Sequence, residues 1–264
     1  MIEATELQRE LEAGAAPMLL QITSPEVFVQ AHIPGAIRVT PAQLVAGTPP
    51  ATGRLPTRTQ LQHLLTQIGF NGNRDIVVYD DEGGGWAGRM GWTLDVVGQR
   101  AWRYLNGGLH AWHAAGLPLA QGEGAPPAQE PTPAFSIDTT PIAEIDDVLA
   151  AIASDTHIIW DVRSREEYLG QRVAAARSGH IPGAVNLDWL HLKDPAAHQR
   201  LVPDLPAVLA ELGIHAGTQV ITHCQTHHRS GLSYMIGRIL EIPIRAYHGS
   251  WSEWGNRDDT PIEV

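Results

Sequence analysis

Cys224 is the only thiol in the 264-residue chain, and His223, Gln225, Thr226, His227, His228, Arg229 and Ser230 surround it. These residue types suit a nucleophile. A thiol must ionise before it attacks, and its ordinary pKa of about 8.5 falls beside cations or a helix N-terminus. The run Gln219 to Thr222 reads as a short buried strand, and Leu232, Met235, Ile236, Ile239 and Leu240 recur as the stripe of an amphipathic helix. The spacing predicts that Cys224 sits in a tight loop entering that helix, where the first amide N–H groups lack partners and the macrodipole adds positive charge. Such a loop stabilises a thiolate, an anionic substrate or a persulfide, with Arg229 as a fixed cation. A free cysteine is more often a small buried apolar residue, but these neighbours are too polar for a core position.

The elements that carry this loop belong to an α/β pattern. Hydrophobic content of 43% and charged content of 18% are those of a globular chain, and apolar runs such as Ile145 to Ile152 are too short to span a membrane. The residues Met1 to Leu7 lack the basic and apolar regions of a secretory signal. One cysteine forms no internal disulfide, so a cytoplasmic location is expected. A formal charge of -11 argues against nucleic acid or an anionic membrane as partner. An anionic substrate then needs a local positive field, which the Cys224 loop offers.

A Gly- and Pro-rich stretch without apolar periodicity lies between two copies of one set of signals. His32-Ile33-Pro34-Gly35-Ala36 returns as His180-Ile181-Pro182-Gly183-Ala184, and Ser24 to Phe28 returns as Ser164 to Tyr168. The second of these opens with a Ser-x-x-Glu capping box, the first with Pro at the first helical position. Ile76 to Asp80 matches Val220 to His223, and Gly107 to Trp112 matches Gly249 to Trp254. The expected organisation is a domain over residues 1–120, a linker over 121–138 and a second domain over 139–264. Alternating strands and helices predict a mainly parallel sheet covered by helices on both faces in each copy. Ligands bind beyond the carboxyl ends of such strands, where Cys224 lies. In the first copy Asp81 takes the position of Cys224, so that half is expected to be catalytically silent. Trp86 and Arg89 remain available there to wall a pocket, Trp86 equally to serve ordinary packing.

The repeated His-Ile-Pro-Gly-Ala box, Asp161-Val162-Arg163 before a capped helix and a cysteine loop entering a helix resemble a tandem-domain rhodanese over nearly the whole chain. The loop Cys224-Gln225-Thr226-His227-His228-Arg229-Ser230 resembles that of the Azotobacter-type bacterial rhodaneses. The resemblance implies a thiosulfate:cyanide sulfurtransferase in which Cys224 takes up sulfur as a persulfide and passes it to cyanide or another thiophile. It implies substrate contacts from Arg229, Gln225, Thr226, His227, His228 and Trp86, and structural support from Asp161, Arg163 and Ser230. The Cys-x4-Arg spacing is one residue shorter than the Cys-x5-Arg loop of dual-specificity phosphatases, which favours a persulfide over a phosphoryl group. The glycines of the mercaptopyruvate branch are absent, so thiosulfate is the expected donor. Vertebrate-type rhodaneses carry basic residues where this chain has Gln225, Thr226 and Glu167, so the entrance here has lost three positive charges.

Arg229 equally suits an oxyanion or a carboxylate that closes the loop. Asp161 and Arg163 are expected to tie the helix start to a neighbouring loop, and His32 and His180 to bond backbone where the chain turns. His223, Cys224, His227 and His228 could be read as a metal set, but a loop with inward amides suits anions, so no metal and no cofactor is expected. Two functions remain: a thiosulfate-turning enzyme, and a persulfide carrier or redox module delivering sulfur to a protein partner. A monomer is the default.

Overall fold

The structure, a computed structural model, describes residues 1–124, 126–127 and 131–264. The expected linker falls partly outside these residues. Two compact units form. The first comprises Met1–Val45, Pro56–Asp138 and Lys193–Leu201, and the second Ala46–Leu55, Thr139–Leu192 and Val202–Val264. The linear division read from the sequence therefore differs in two short segments. Residues 46–55 pack within the second unit and residues 193–201 within the first, because their partners are backbone groups and charges that leave no apolar pattern in the chain.

In the first unit β1 (Met18–Ile22), β2 (Ile37–Val39), β3 (Ile76–Asp80) and β4 (Trp102–Tyr104) form a parallel sheet in the order β2-β1-β3-β4. Its helices are α1 (Ala4–Glu12), α2 (Pro25–Gln30), α3 (Arg58–Gln67), α4 (Gly85–Val96) and α5 (Gly108–Ala114). β1 and β3 are buried along their whole length, as strands sandwiched between helices must be. Leu19, Phe28, Val77, Tyr79, Leu105 and Trp112 share one core cluster there.

The second half of the chain adds β5 (Ile142–Ala143), β6 (His157–Asp161), β7 (Val185–Asn186), the antiparallel pair β8 (Lys193–Asp194) and β9 (Arg200–Leu201), β10 (Gln219–His223) and β11 (Ile244–Tyr247). The second unit's sheet is parallel in the order β5-β11-β10-β6-β7. Its helices are α6 (Ile145–Ile152), α7 (Arg165–Tyr168), α8 (Leu205–Ala210), α9 (Arg229–Ile239) and α10 (Ser250–Trp254). Ile159, Ile221, Tyr247, Trp251 and Trp254 anchor its core. The register pairs His223 with Asp161, so both stand at the carboxyl end of the two central strands.

The sequence repeat is a repeat of contacts. His32 Nδ1 meets Phe28 O at 2.8 Å and its ring stacks on Phe28, while His180 Nδ1 meets Tyr168 O at 2.9 Å and its ring stacks on Tyr168. Trp112 Nε1 donates to Pro118 O and Trp254 Nε1 to Pro261 O, each at 2.8 Å. Both histidines thus fix backbone, as their duplication suggests. Among the described residues, no helix is long and apolar enough to cross a membrane.

Candidate active site

β10 ends at His223, and α9 begins at Arg229, so residues 224–228 form the turn between them. His227 takes a left-handed backbone, φ +54°, and this uncommon conformation lets so short a turn curl around the sulfur. The start of the turn is held from α10. Trp251 N donates to Cys224 O and Ser252 N to Gln225 O, each at 2.9 Å. Cys224 N donates to Ser250 Oγ at 3.4 Å. With the carbonyls tied outward, amides are left to face the thiol.

Cys224 is only 1% exposed. Ser230 Oγ donates to its sulfur at 3.5 Å, and the N–H groups of Ser230 and Thr226 also face it. Burial opposes the thiolate, but the Arg229 charge, the Ser230 hydroxyl and these amides outweigh it and hold the thiol below its ordinary pKa. His227 Nδ1 lies 2.8 Å from Ser230 Oγ. A hydroxyl has one proton, so if it goes to the sulfur the imidazole must donate to the oxygen. The result is a relay, His227 to Ser230 to Cys224. His227, expected among the substrate contacts, is buried and turned into this relay instead.

Arg229 meets Glu167 with both guanidinium nitrogens, at 2.6 and 2.9 Å. This is the carboxylate-closing role left open beside oxyanion binding. Burial opposes ionised Glu167, yet its bonds to Arg229 keep the carboxyl below the usual range. Glu167 also accepts from Ser164 N at 3.2 Å in the capping box of α7, so one side chain joins the helix start to the Cys224 loop. Gln225 is half-buried and its Nε2 donates to Ala174 O at 2.8 Å. His228 directly precedes α9 and packs edge-on against Trp189, with centroids 5.5 Å apart. Trp86 belongs to the first unit, half-buried on the first turn of α4.

Beneath the loop, Arg163 Nε and Nη2 bond Asp161 at 2.6 to 3.0 Å, Nη2 also donates to Gly179 O at 2.8 Å, and the guanidinium lies 4.2 Å from the Trp251 ring. The pair therefore ties the strand end to the turn at residue 179 and supports α10 from below. Burial holds His223 below its ordinary pKa, with Asp161 working the other way. Asp161 is itself pushed up by burial, but His223 and Arg163 bring it below the usual range. Since His223 is biased towards neutral, Arg163 is the standing countercharge.

The equivalent turn of the first unit follows β3. There Asp80 Oδ1 accepts from the N–H groups of Glu82, Gly83 and Gly84 at 3.3, 3.0 and 2.8 Å, and Oδ2 from those of Gly84 and Ala87 at 3.1 and 3.0 Å. The amide cradle survives, but a carboxylate of the chain fills it. Asp81, which follows, is the residue in place of Cys224. Sequence reasoning identified the thiol and its loop but missed the Glu167–Arg229 pair and the hold of α10, although the repeat had already marked Gly249 to Trp254.

The Rhodanese-like domain family matches residues 3–115 and again residues 144–257. The chain belongs to the rhodanese family. The second match of this rhodanese contains the Cys224 loop and the first contains Asp81. It is 46% identical to a thiosulfate sulfurtransferase of Azotobacter vinelandii and 43% identical to one of Pseudomonas aeruginosa, in each case over 100% of this chain and 97% of the relative. Among solved structures, YnjE superposes with a TM-score of 0.89 at 19% identity, covering 100% of this chain and 68% of that one, which supports the fold.

Proposed function

We propose that this rhodanese is a thiosulfate sulfurtransferase whose sulfur travels on Cys224. The observation that carries the reading is the convergence of the Ser230 hydroxyl, two amides and the Arg229 charge on one buried sulfur. The Cys224 thiolate attacks the outer sulfur of thiosulfate. A new S–S bond forms as the old one breaks, and its electron pair leaves on sulfite. The donors that held the thiolate then hold the persulfide anion, so no charge has to be resolvated between the steps. Cyanide carbon attacks the outer sulfur, thiocyanate departs, and the electron pair returns to Cys224.

In this reading Cys224 is the one covalent residue, Arg229 steadies the developing sulfite charge, and Gln225, Thr226 and His228 bound the substrate. His227 and Ser230 tune the sulfur from behind. Asp161 and Arg163 hold the loop's base. The protein works as a cytoplasmic monomer, and cyanide or a comparable small thiophile is the acceptor. Cys224→Ala is expected to abolish turnover of thiosulfate with cyanide while the thermal unfolding midpoint stays near that of the parent. Retained turnover in that variant overturns the reading.

A carrier role is favoured by one observation, the neutralisation of Arg229 by Glu167, which weakens the hold on a dianionic donor. A persulfide that forms but turns over slowly with cyanide, and quickly with a protein thiol, would decide for a protein acceptor.

A further inference from the structure

Residues 46–55 come from the catalytically silent half of the chain yet belong to the unit that holds Cys224. The segment closes on itself, with Ala46 N donating to Arg54 O at 2.8 Å and Gly47 N to Thr52 O at 2.9 Å. It is clasped at one end. Arg54 bridges Glu253 at 2.5 Å and Glu144 at 2.6 Å, and Leu55 N donates to His248 Nδ1 at 2.9 Å. Because Nδ1 accepts, the ring proton sits on Nε2, which faces Glu144 Oε1 at 3.2 Å. Glu253 also accepts from Tyr247 O–H at 2.8 Å and stands on α10, the helix that holds the Cys224 and Gln225 carbonyls. One charged cluster therefore fixes both the strap and the loop's support.

Gly53 marks where the strap meets the loop. A Cβ built there would stand 1.9 Å from the carbonyl oxygen of Thr226 and 2.5 Å from its carbonyl carbon. Both are backbone atoms, so no rotamer relieves the clash. The N–H of the same residue, in the preceding peptide unit and joined to that carbonyl through Cα, is one of those that face the thiolate. The other half of the chain returns the arrangement. Residues 193–201 belong to the first unit, where Lys193 Nζ donates to Glu82 O and a Cβ on Gly83 would stand 2.8 Å from Lys193 Cδ. Each half thus gives the other unit the segment that follows a short 3-10 turn, Pro41–Leu44 in one case and Trp189–Leu192 in the other. Over the silent loop a flexible lysine makes the contact, whereas over the sulfur loop it is backbone on backbone.

We propose that the strap 46–55 sets the conformation of the sulfur-carrying loop, with Gly53 as the positioning residue that fixes the Thr226 backbone through its carbonyl and Arg54 as its clasp. This rests on the reading of Cys224 as the sulfur carrier. The silent half then contributes to catalysis through the backbone geometry of one loop residue rather than through a reacting group.

The test compares the parent with Gly53→Ala, Arg54→Lys and Thr48→Ala, the last at the exposed tip of the strap. Thiolate fraction is read from the pH dependence of iodoacetamide alkylation, and kcat and KM are measured with thiosulfate and cyanide. Gly53→Ala is expected to raise the thiolate midpoint by about one pH unit, the scale of one lost charge-assisted hydrogen bond, and to lower kcat. Arg54→Lys, which loses the two-nitrogen fork that spans Glu253 and Glu144, shifts both in the same direction by less, and Thr48→Ala shifts neither. A folded Gly53→Ala with the parent's midpoint and kcat overturns the proposal. If Gly53→Ala does not fold, the same result in Arg54→Lys overturns it. Alkylation needs no sulfur donor, so it reads the strap separately from whether thiosulfate loads the parent.

Discussion

Ser230→Ala removes a side-chain hydroxyl that donates to the Cys224 sulfur, at 3.5 Å. A hydrogen bond to a charged group contributes about 1.5–3 kcal/mol. At this length the lower figure applies, and about 1.4 kcal/mol corresponds to one pKa unit. The thiol pKa is therefore expected to rise by about one unit. The sign follows from the chemistry. The thiolate is the nucleophile, and its pKa in the parent lies below the ordinary value, so reactivity is lost as pH falls through that lowered pKa. The variant loses it at a higher pH. Between the two midpoints its alkylation rate falls towards a tenth of the parent's, while well above both the rates converge. The assay is the rate of iodoacetamide alkylation across the acid-to-alkaline range, with intact mass confirming a single modified site. A midpoint within about 0.3 unit of the parent's would refute the claim that Ser230 holds the thiolate.

Glu167→Gln keeps an acceptor for Ser164 N in the capping box but removes the charge that neutralises Arg229. It should lower the thiosulfate KM several-fold and lower the thiol midpoint, and steady-state kinetics that leave both unchanged would count against a role for Arg229 at the sulfur. Asp161→Asn breaks a fully buried pair with Arg163 and should cost about 3–5 kcal/mol in urea unfolding. Because the Asp161 pKa is depressed, its stabilisation is present above the unfolded value of about 3.9 and is lost as pH falls through the folded one, so the gap between parent and variant should narrow in acid. Asp81→Cys in a Cys224→Ala background should not create an activated thiol, since the Asp80 carboxylate already takes the amides of that cradle; alkylation as fast as that of Cys224 in the parent would contradict this.

What the sequence showed was whatever local pattern could carry. A strand, a loop of polar residues and an apolar stripe placed Cys224 before a helix, and the duplicated His-Ile-Pro-Gly-Ala boxes marked two similar sheets. Ser24 and Ser164 announced their helices because caps act within one turn. Contacts between distant segments left no such mark. Glu167 could be seen as a lost positive charge, but not as the partner of Arg229, because 62 positions separate them. His227 looked like an entrance residue until its left-handed backbone turned the ring inward towards Ser230. Gly53 is one glycine among 26, and the approach of the Thr226 carbonyl, which ties it to the sulfur loop, cannot be read from the chain.

The central claim is that Cys224 carries sulfur as a persulfide, and the intact mass of the protein tests it most directly. Thiosulfate should add the mass of one sulfur atom, cyanide should remove it, and Cys224→Ala should show neither change. A parent protein that gains no mass, or a Cys224→Ala protein that gains the same sulfur, would contradict the account.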